Sequence, residues 1–409
     1  MLIGKTEALY TFLYDAPFPE LMRISFVHYT FKDDGVTRVV LNNIKGIREV
    51  EPSYECNLVS SIFSENISDS IQKKKIDWDS EDHASMLHDA VRGSDAVVIE
   101  NPTLGKYPGL TRSFKKLAES SGMKVIYRIH DLVDDRPEYY DAFYELFPAL
   151  GSEYPRSDNV SFLALTNNDK SRLKNKGLDD VHVLANPVIP EELMPRESDD
   201  LRERLVEDNV IGQDETMLTY PVRVLPRKNI EEALFMSSLI EGGRLVVSLG
   251  HERGYQGMLE RFAEDFNIPY SFGEASRYIT DEKFSIGDLL GASDYVMTTS
   301  IREGFGFAFI EPWMADTPVM GRDIPQVTED FKQNGVLLDH LYDDWFSEDI
   351  SERIDYYRKR MSDQGFRQKK RRSLERMMEE AEDSICTNKE AVTQKYDYRE
   401  IAKELLSYI

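Results

Sequence analysis

Short apolar runs alternate with segments of helical period along most of the chain. The first run is Arg23 to Tyr29, and others follow at Asn57 to Phe63, Ala96 to Glu100, Lys124 to His130, Val160 to Leu165 and Val181 to Leu184. Between them the apolar spacing becomes helical. Val36, Val39, Val40, Ile44 and Ile47 mark one helix, and more are predicted at His83 to Val91, Thr111 to Ser121, Tyr139 to Phe147 and Asn168 to Lys176. Runs without polar alternation are strands covered on both faces. Their alternation with helices predicts a doubly wound parallel α/β sheet.

Asn186-Pro187-Val188-Ile189-Pro190 interrupts the series, and a charged segment from Glu191 to Asp208 follows. Prolines beside a polar stretch mark a domain boundary, so the first domain is expected over residues 1–190. The pattern then restarts with strands at Met217 to Val224 and Arg244 to Leu249, helices at Ile230 to Ile240 and Tyr255 to Phe266, the segment Ile268 to Gly273 and a helix at Ile286 to Ala292. A second α/β domain is predicted over 191–385, with a C-terminal helix, 386–409, packing back toward the first domain. Beyond Leu338 the chain reads as charged helix. Its run Lys369-Lys370-Arg371-Arg372 precedes Glu375 and Glu379, which suits a solvated helix face.

Two stretches of the second half carry candidate chemistry. In the first, a buried strand, Tyr295 to Ser300, leads into a turn with Glu303, Gly304, Phe305 and Gly306. A helix predicted from Phe307 to Asp316 carries Glu311, and a short strand starts at Pro318. Glycines let a backbone approach a ligand closely, and N–H groups at a helix start point at whatever occupies the turn. With 74 acidic residues in the chain, two glutamates eight apart mean little alone. Their strand–turn–helix setting gives the pair its weight. In the second stretch, Arg223 and Lys228 straddle a turn bent by Pro226, with Asn229 suited to cap the next helix. Two cations at the carboxyl end of a parallel strand, beside a helix start, form a site for a diphosphate. Arg227, between them, reads as a surface cation.

Composition narrows the partners. The 409 residues are 41% hydrophobic and 30% charged, which fits two folded domains. A net charge of −24 repels nucleic-acid phosphate and anionic lipid, so neither nucleic acid nor membrane association is expected. Cys56 and Cys386 supply neither a disulfide framework nor a CxxC spacing. The segment Met1 to Glu7 lacks a basic stretch followed by an apolar one, and a cytoplasmic location is expected.

The stretch Glu303-Gly304-Phe305-Gly306-Phe307-Ala308-Phe309-Ile310-Glu311 resembles the E-x7-E motif of retaining glycosyltransferases with the GT-B fold, family 4 above all. Arg223-x4-Lys228 is similar to that family's pyrophosphate-binding pair. The resemblance is specific over Met217 to Val327 and consistent in order over Arg23 to Asn186. It implies two Rossmann-like domains facing a cleft. Glu311 would hold the ribose of the donor nucleotide. Glu303 and the backbone N–H groups of Gly304, Phe305 and Gly306 would hold the donor sugar. Arg223 and Lys228 would neutralise the departing diphosphate. It further implies no cofactor and no metal, the co-substrate being a UDP- or GDP-linked sugar. The one DxD pattern, Asp77-Trp78-Asp79, lies far from the motif. His130 resembles a histidine that reaches the donor sugar's outer hydroxyl, beside its reading as a packing residue. Gly35 matches part of the family's first glycine loop, although Asp33 and Asp34 precede it.

Gly250 is a candidate for close approach to the nucleotide, and Phe272-Gly273 for the wall beside the base. Lys32, Arg38, Arg128 and Arg136 could meet an anionic acceptor. The expected enzyme moves glucose or mannose to a soluble sugar, sugar phosphate or glycerate-type acceptor, and a homo-oligomer is compatible with the sequence. Alternatives are a lipid or polysaccharide acceptor, a GT-B phosphorylase, for which no Schiff-base lysine stands out, and a catalytically silent nucleotide-sugar binder.

Overall fold

The computed structural model describes residues 21–250, 254–280, 283–342 and 349–409. They form two compact units. The first contains the described residues up to Leu165, with Asp169–Pro187 and Tyr398–Ile409. The second contains Thr166–Asn168 and Val188–Asp397. The chain passes from the first unit to the second at Pro187–Val188 and returns at Asp397–Tyr398.

The first unit is a seven-stranded, wholly parallel sheet in the order β3-β2-β1-β4-β5-β6-β7. The strands are β1 (Met22–Val27), β2 (Tyr54–Ser60), β3 (Gln72–Lys75), β4 (Ala96–Glu100), β5 (Lys124–Ile129), β6 (Val160–Ala164) and β7 (Val181–Val183). β4 is buried along its whole length, as expected of an apolar run covered by helices on both faces. β3 lies outside the sequence prediction. Its residues Gln72-Lys73-Lys74-Lys75 have no apolar period, and lysines are residues that blunt the outer edge of a sheet. The helix Gly35–Val50 packs against the last helix, Tyr398–Leu406. The two backbones approach so closely that a Cβ on Gly46 would lie 2.4 Å from the Tyr398 carbonyl oxygen. Asp34 caps the Gly35–Val50 helix, accepting from Thr37 N at 2.9 Å.

The second unit is a five-stranded parallel sheet in the order β10-β9-β8-β11-β12. Its strands are β8 (Thr216–Arg223), β9 (Gly243–Leu249), β10 (Tyr270–Phe272), β11 (Tyr295–Thr298) and β12 (Val319–Gly321). Chain order runs outward from β8 through β9 to β10, then resumes on the other side of β8 with β11. The place where strand order reverses leaves a crevice at the carboxyl ends of the flanking strands, where open α/β sheets bind ligands. In this unit the flanking strands are β8 and β11. In the first unit they are β1 and β4.

One predicted element is corrected. Phe307 to Asp316 is not an α-helix but two 3₁₀ turns, Phe307–Phe309 and Glu311–Ala315, separated at Ile310. Gly306 is left-handed at φ 86°, and Pro312 supplies no N–H to an i to i−4 ladder, so no helix forms across the pair. Glu303 and Glu311 therefore do not share a helix face. No helix among the described residues is long and apolar enough to cross a membrane.

Candidate functional site

The site in the second unit is assembled by stitching the segment after β8 to the segment after β11. After β8 the chain makes a 3₁₀ turn, Pro226–Lys228, and Asn229 adopts a left-handed conformation at φ 51°. The carbonyls of this turn are tied to β8 and to the segment that follows β11. Tyr220 Oη donates to the Lys228 carbonyl at 3.1 Å, and the Thr299 hydroxyl lies 3.0 and 2.9 Å from the carbonyls of Lys228 and Asn229. Ile301 N donates to the Arg227 carbonyl at 3.0 Å. Each of these groups is fixed by backbone or by a buried side chain, so the cations of one turn are registered against the carboxylate of the other.

That carboxylate is Glu303. Its Oε1 accepts from Lys228 Nζ and from the Ser300 hydroxyl, and its Oε2 accepts from Arg227 at 3.1 Å. The side chains of Lys228 and Glu303 are 10% and 11% exposed, so their mutual field is little screened by water. Burial would raise the Glu303 pKa, but the charges of Lys228 and Arg227 outweigh it and hold the carboxyl below its ordinary range. Burial lowers the Lys228 pKa, with Glu303 opposing.

Arg227, read from the sequence as a surface cation, is thus a member of the site. Arg223 ends β8 exposed and forms no ion pair among the described residues. Asn229 corrects the capping expectation. Its side chain makes no cap bond to the following helix and instead donates to Glu232.

The turn between β11 and the first 3₁₀ segment presents backbone donors. Among the described residues the N–H groups of Gly304, Phe305 and Gly306 donate to no protein acceptor. Gly306 tolerates no side chain, since a Cβ would come 2.7 Å from the Phe309 ring. The Phe305 side chain is no ligand contact. Its ring is buried against Phe307, Phe331 and Tyr396, so only its backbone faces the turn. Glu311 is buried at the head of the second 3₁₀ turn. Gly250 and Gly273 follow β9 and β10 and touch through backbone: a Cβ on left-handed Gly273 would lie 2.6 Å from Gly250 N. This packing explains Gly273 without a ligand, whereas a Cβ on Gly250 would meet nothing nearer than 3.4 Å.

In the first unit His130, just beyond β5, is buried with its Nε2 2.6 Å from Glu100 Oε2. His28, after β1, places Nδ1 2.8 Å from the Glu100 carbonyl oxygen. Glu100 was not singled out in the sequence because it ends an apolar run and its partner lies 30 positions away. Burial would raise its pKa, but the His130 hydrogen bond and the Arg128 charge hold it down. Arg128, a candidate for an anionic acceptor, is fully buried, donating at 3.1 Å to the Ala185 carbonyl and to Asn186 Oδ1. Arg136 is paired with Asp131 at 2.8 Å. Gly35 opens its helix with nothing within 4 Å of a Cβ. Asp33 accepts from Ser64 and Asn66. Asp77 and Asp79 of the DxD pattern are both exposed, and no group of three metal-ligating side chains occurs among the described residues.

No protein-family model matches the chain. It is 23% identical over 343 residues to a mannosylglucosyl-3-phosphoglycerate synthase of Petrotoga mobilis, a match spanning 75% of this chain and 65% of that protein's length. Among solved structures it is similar to Anabaena HepE in complex with UDP and glucose, with a TM-score of 0.66 at 11% identity, covering 94% of this chain and 98% of that one. It is also similar to sucrose-phosphate synthase of Thermosynechococcus elongatus, with a TM-score of 0.64 at 11% identity, covering the same 94% and 98%. The two parallel sheets and these neighbours establish the GT-B fold.

Proposed function

We propose that the chain is a retaining glycosyltransferase of the family 4 type that moves glucose or mannose from a UDP- or GDP-linked donor to a small soluble acceptor, without a metal ion. The reading rests on one observation above all. Lys228, Arg227, Glu303 and three unengaged N–H groups converge where strand order reverses between β8 and β11. Cations and backbone donors at such a place suit a diphosphate and sugar hydroxyls together.

Similarity supports the donor and acceptor classes. HepE was crystallised with UDP and with UDP-glucose. The Petrotoga relatives are synthases named for mannosylglucosylglycerate and its phosphorylated form, which favours a glycerate-type or sugar-phosphate acceptor.

In this reading the bond from the sugar C1 to the diphosphate oxygen breaks, and a bond from C1 to the acceptor oxygen forms on the same face. The acceptor's proton passes to the departing phosphate, since no side chain is assigned as a covalent nucleophile. Negative charge grows on the diphosphate as the bond breaks, so Lys228, with Arg223, acts most strongly in the transition state. Glu303 keeps the Lys228 ammonium charged and in place and receives sugar hydroxyls, while Glu311 receives the ribose.

The experiment is to incubate the protein with UDP-glucose or GDP-mannose, glucosylglycerate and 3-phosphoglycerate in EDTA, and to follow UDP or GDP release and product by proton NMR. A product with retained anomeric configuration is expected. Donor binding without turnover on any sugar acceptor would favour the silent binder.

A further inference from the structure

The segment beyond Leu338 reads in the sequence as charged helix, yet one of its arginines is buried. Arg353 lies on the helix Ile350–Met361 with its side chain 1% exposed. Arg353, Ile354 and Tyr357 are the buried positions of that helix, and their spacing puts them on one face. That face packs on the helix Ile230–Ser237, where the Tyr357 and Phe235 rings stack with centres 5.2 Å apart.

The packing brings the guanidinium behind the turn Pro226–Lys228. Its Nη2 donates to the Pro226 carbonyl at 2.8 Å, and its Nε donates to Glu231 Oε1. Glu231, in the first turn of the helix Ile230–Ser237, has a fully buried side chain whose Oε2 accepts from the Tyr255 hydroxyl. That hydroxyl in turn accepts from Ile230 N at 3.2 Å. One buried cation therefore grips the chain on both sides of Lys228, at Pro226 before it and at Glu231 after it. A guanidinium can bridge two acceptors because its N–H groups diverge in one rigid plane, whereas an ammonium is a single point.

We propose that Arg353, paired with Glu231, is a positioning residue for Lys228, fixing the turn from which the Lys228 ammonium reaches Glu303. Its effect on turnover rests on the glycosyl-transfer reading; its effect on the Lys228 ammonium does not. The test is Arg353→Lys, which keeps a cation beside the buried Glu231 but cannot span to Pro226 as well, made in the wild-type chain and in Lys228→Ala. With a nucleotide-sugar donor, kcat should fall about tenfold to a hundredfold in the wild-type background, the loss that a small misplacement causes. It should not fall further in the Lys228→Ala background, whereas a merely structural role would lower both by the same factor. In parallel, NMR of the chain labelled with ¹³C at lysine Cε follows the Lys228 signal, identified as the one lost in Lys228→Ala, and its alkaline titration midpoint should be displaced by Arg353→Lys. The pair Glu231→Gln/Arg353→Gln, which leaves no buried charge alone, should give the same results and replaces the lysine variant should that fail to fold. Unchanged kcat in the folded variants, equal loss in both backgrounds, or an undisplaced Lys228 titration would overturn the proposal. A chain that turns over no nucleotide sugar would overturn the transferase reading alone, and the Lys228 titration then decides the role of Arg353.

Discussion

Lys228 and Glu303, 75 positions apart in sequence, meet as a buried ion pair between the turns that follow β8 and β11. The pair joins the two halves of the candidate donor site. Desolvation works against each charge separately, so each depends on its partner, and loss of Glu303 leaves Lys228 uncompensated. Arg227 is the second cation on Glu303, which makes the two single losses unequal.

Lys228→Ala should lower kcat by about 10² to 10³, the loss typical of one group aimed at developing charge. Arg227 still meets Glu303 in this variant, so the fold should persist. Steady-state kinetics with the thermal midpoint measured alongside checks this, and near-normal turnover would remove Lys228 from the mechanism.

Glu303→Gln should alter acid stability. The folded carboxyl titrates below its ordinary value near 4.5, so its contribution to stability is complete above that value and is lost as pH falls through the lower folded value. The variant should show a shallower loss of stability on acidification below pH 4.5, read from denaturant midpoints at a series of pH values. Identical pH profiles would show that Glu303 gains nothing from its cations.

On the alkaline side the sign reverses for activity. Burial lowers the Lys228 pKa, so its ammonium loses its proton at a pH below the ordinary 10.5 of lysine. The kcat profile should fall there, and Lys228→Arg, which stays protonated, should move or abolish the fall while retaining part of the activity. A wild-type profile flat up to pH 10.5 contradicts this.

Gly306→Ala should destabilise the chain by more than about 1 kcal/mol, because alanine is strained at positive φ. Here the added Cβ also meets the Phe309 ring. Chemical denaturation checks it, and an unchanged midpoint would mean that the turn relaxes freely.

Much of the fold was legible because buried parallel strands are nearly continuous apolar runs, as in Val97-Val98-Ile99 and Val296-Met297. β3 was not, since Gln72-Lys73-Lys74-Lys75 is held by its neighbour and not by its own pattern. Lys228 and Glu303, which meet in the structure, could each be singled out from a turn that follows a buried strand. The participation of Arg227 could not, because a cation between two others in a turn has no sequence signal for its direction. The same limit applies to Glu100, whose carboxylate meets His130 from another strand. It applies again to Arg128, where periodicity cannot tell a buried guanidinium held by Asn186 from a surface one. The helix expected after Gly306 failed because Pro312 and a left-handed glycine act locally and outweigh apolar spacing.

The most direct test of the donor-site assignment is isothermal titration of UDP-glucose and GDP-mannose, in EDTA, into the wild-type chain, Lys228→Ala and Glu311→Ala. Binding of one donor to the wild type, weakened at least tenfold in both variants, is the expected result. Binding of neither donor, or equal binding to all three proteins, would contradict it.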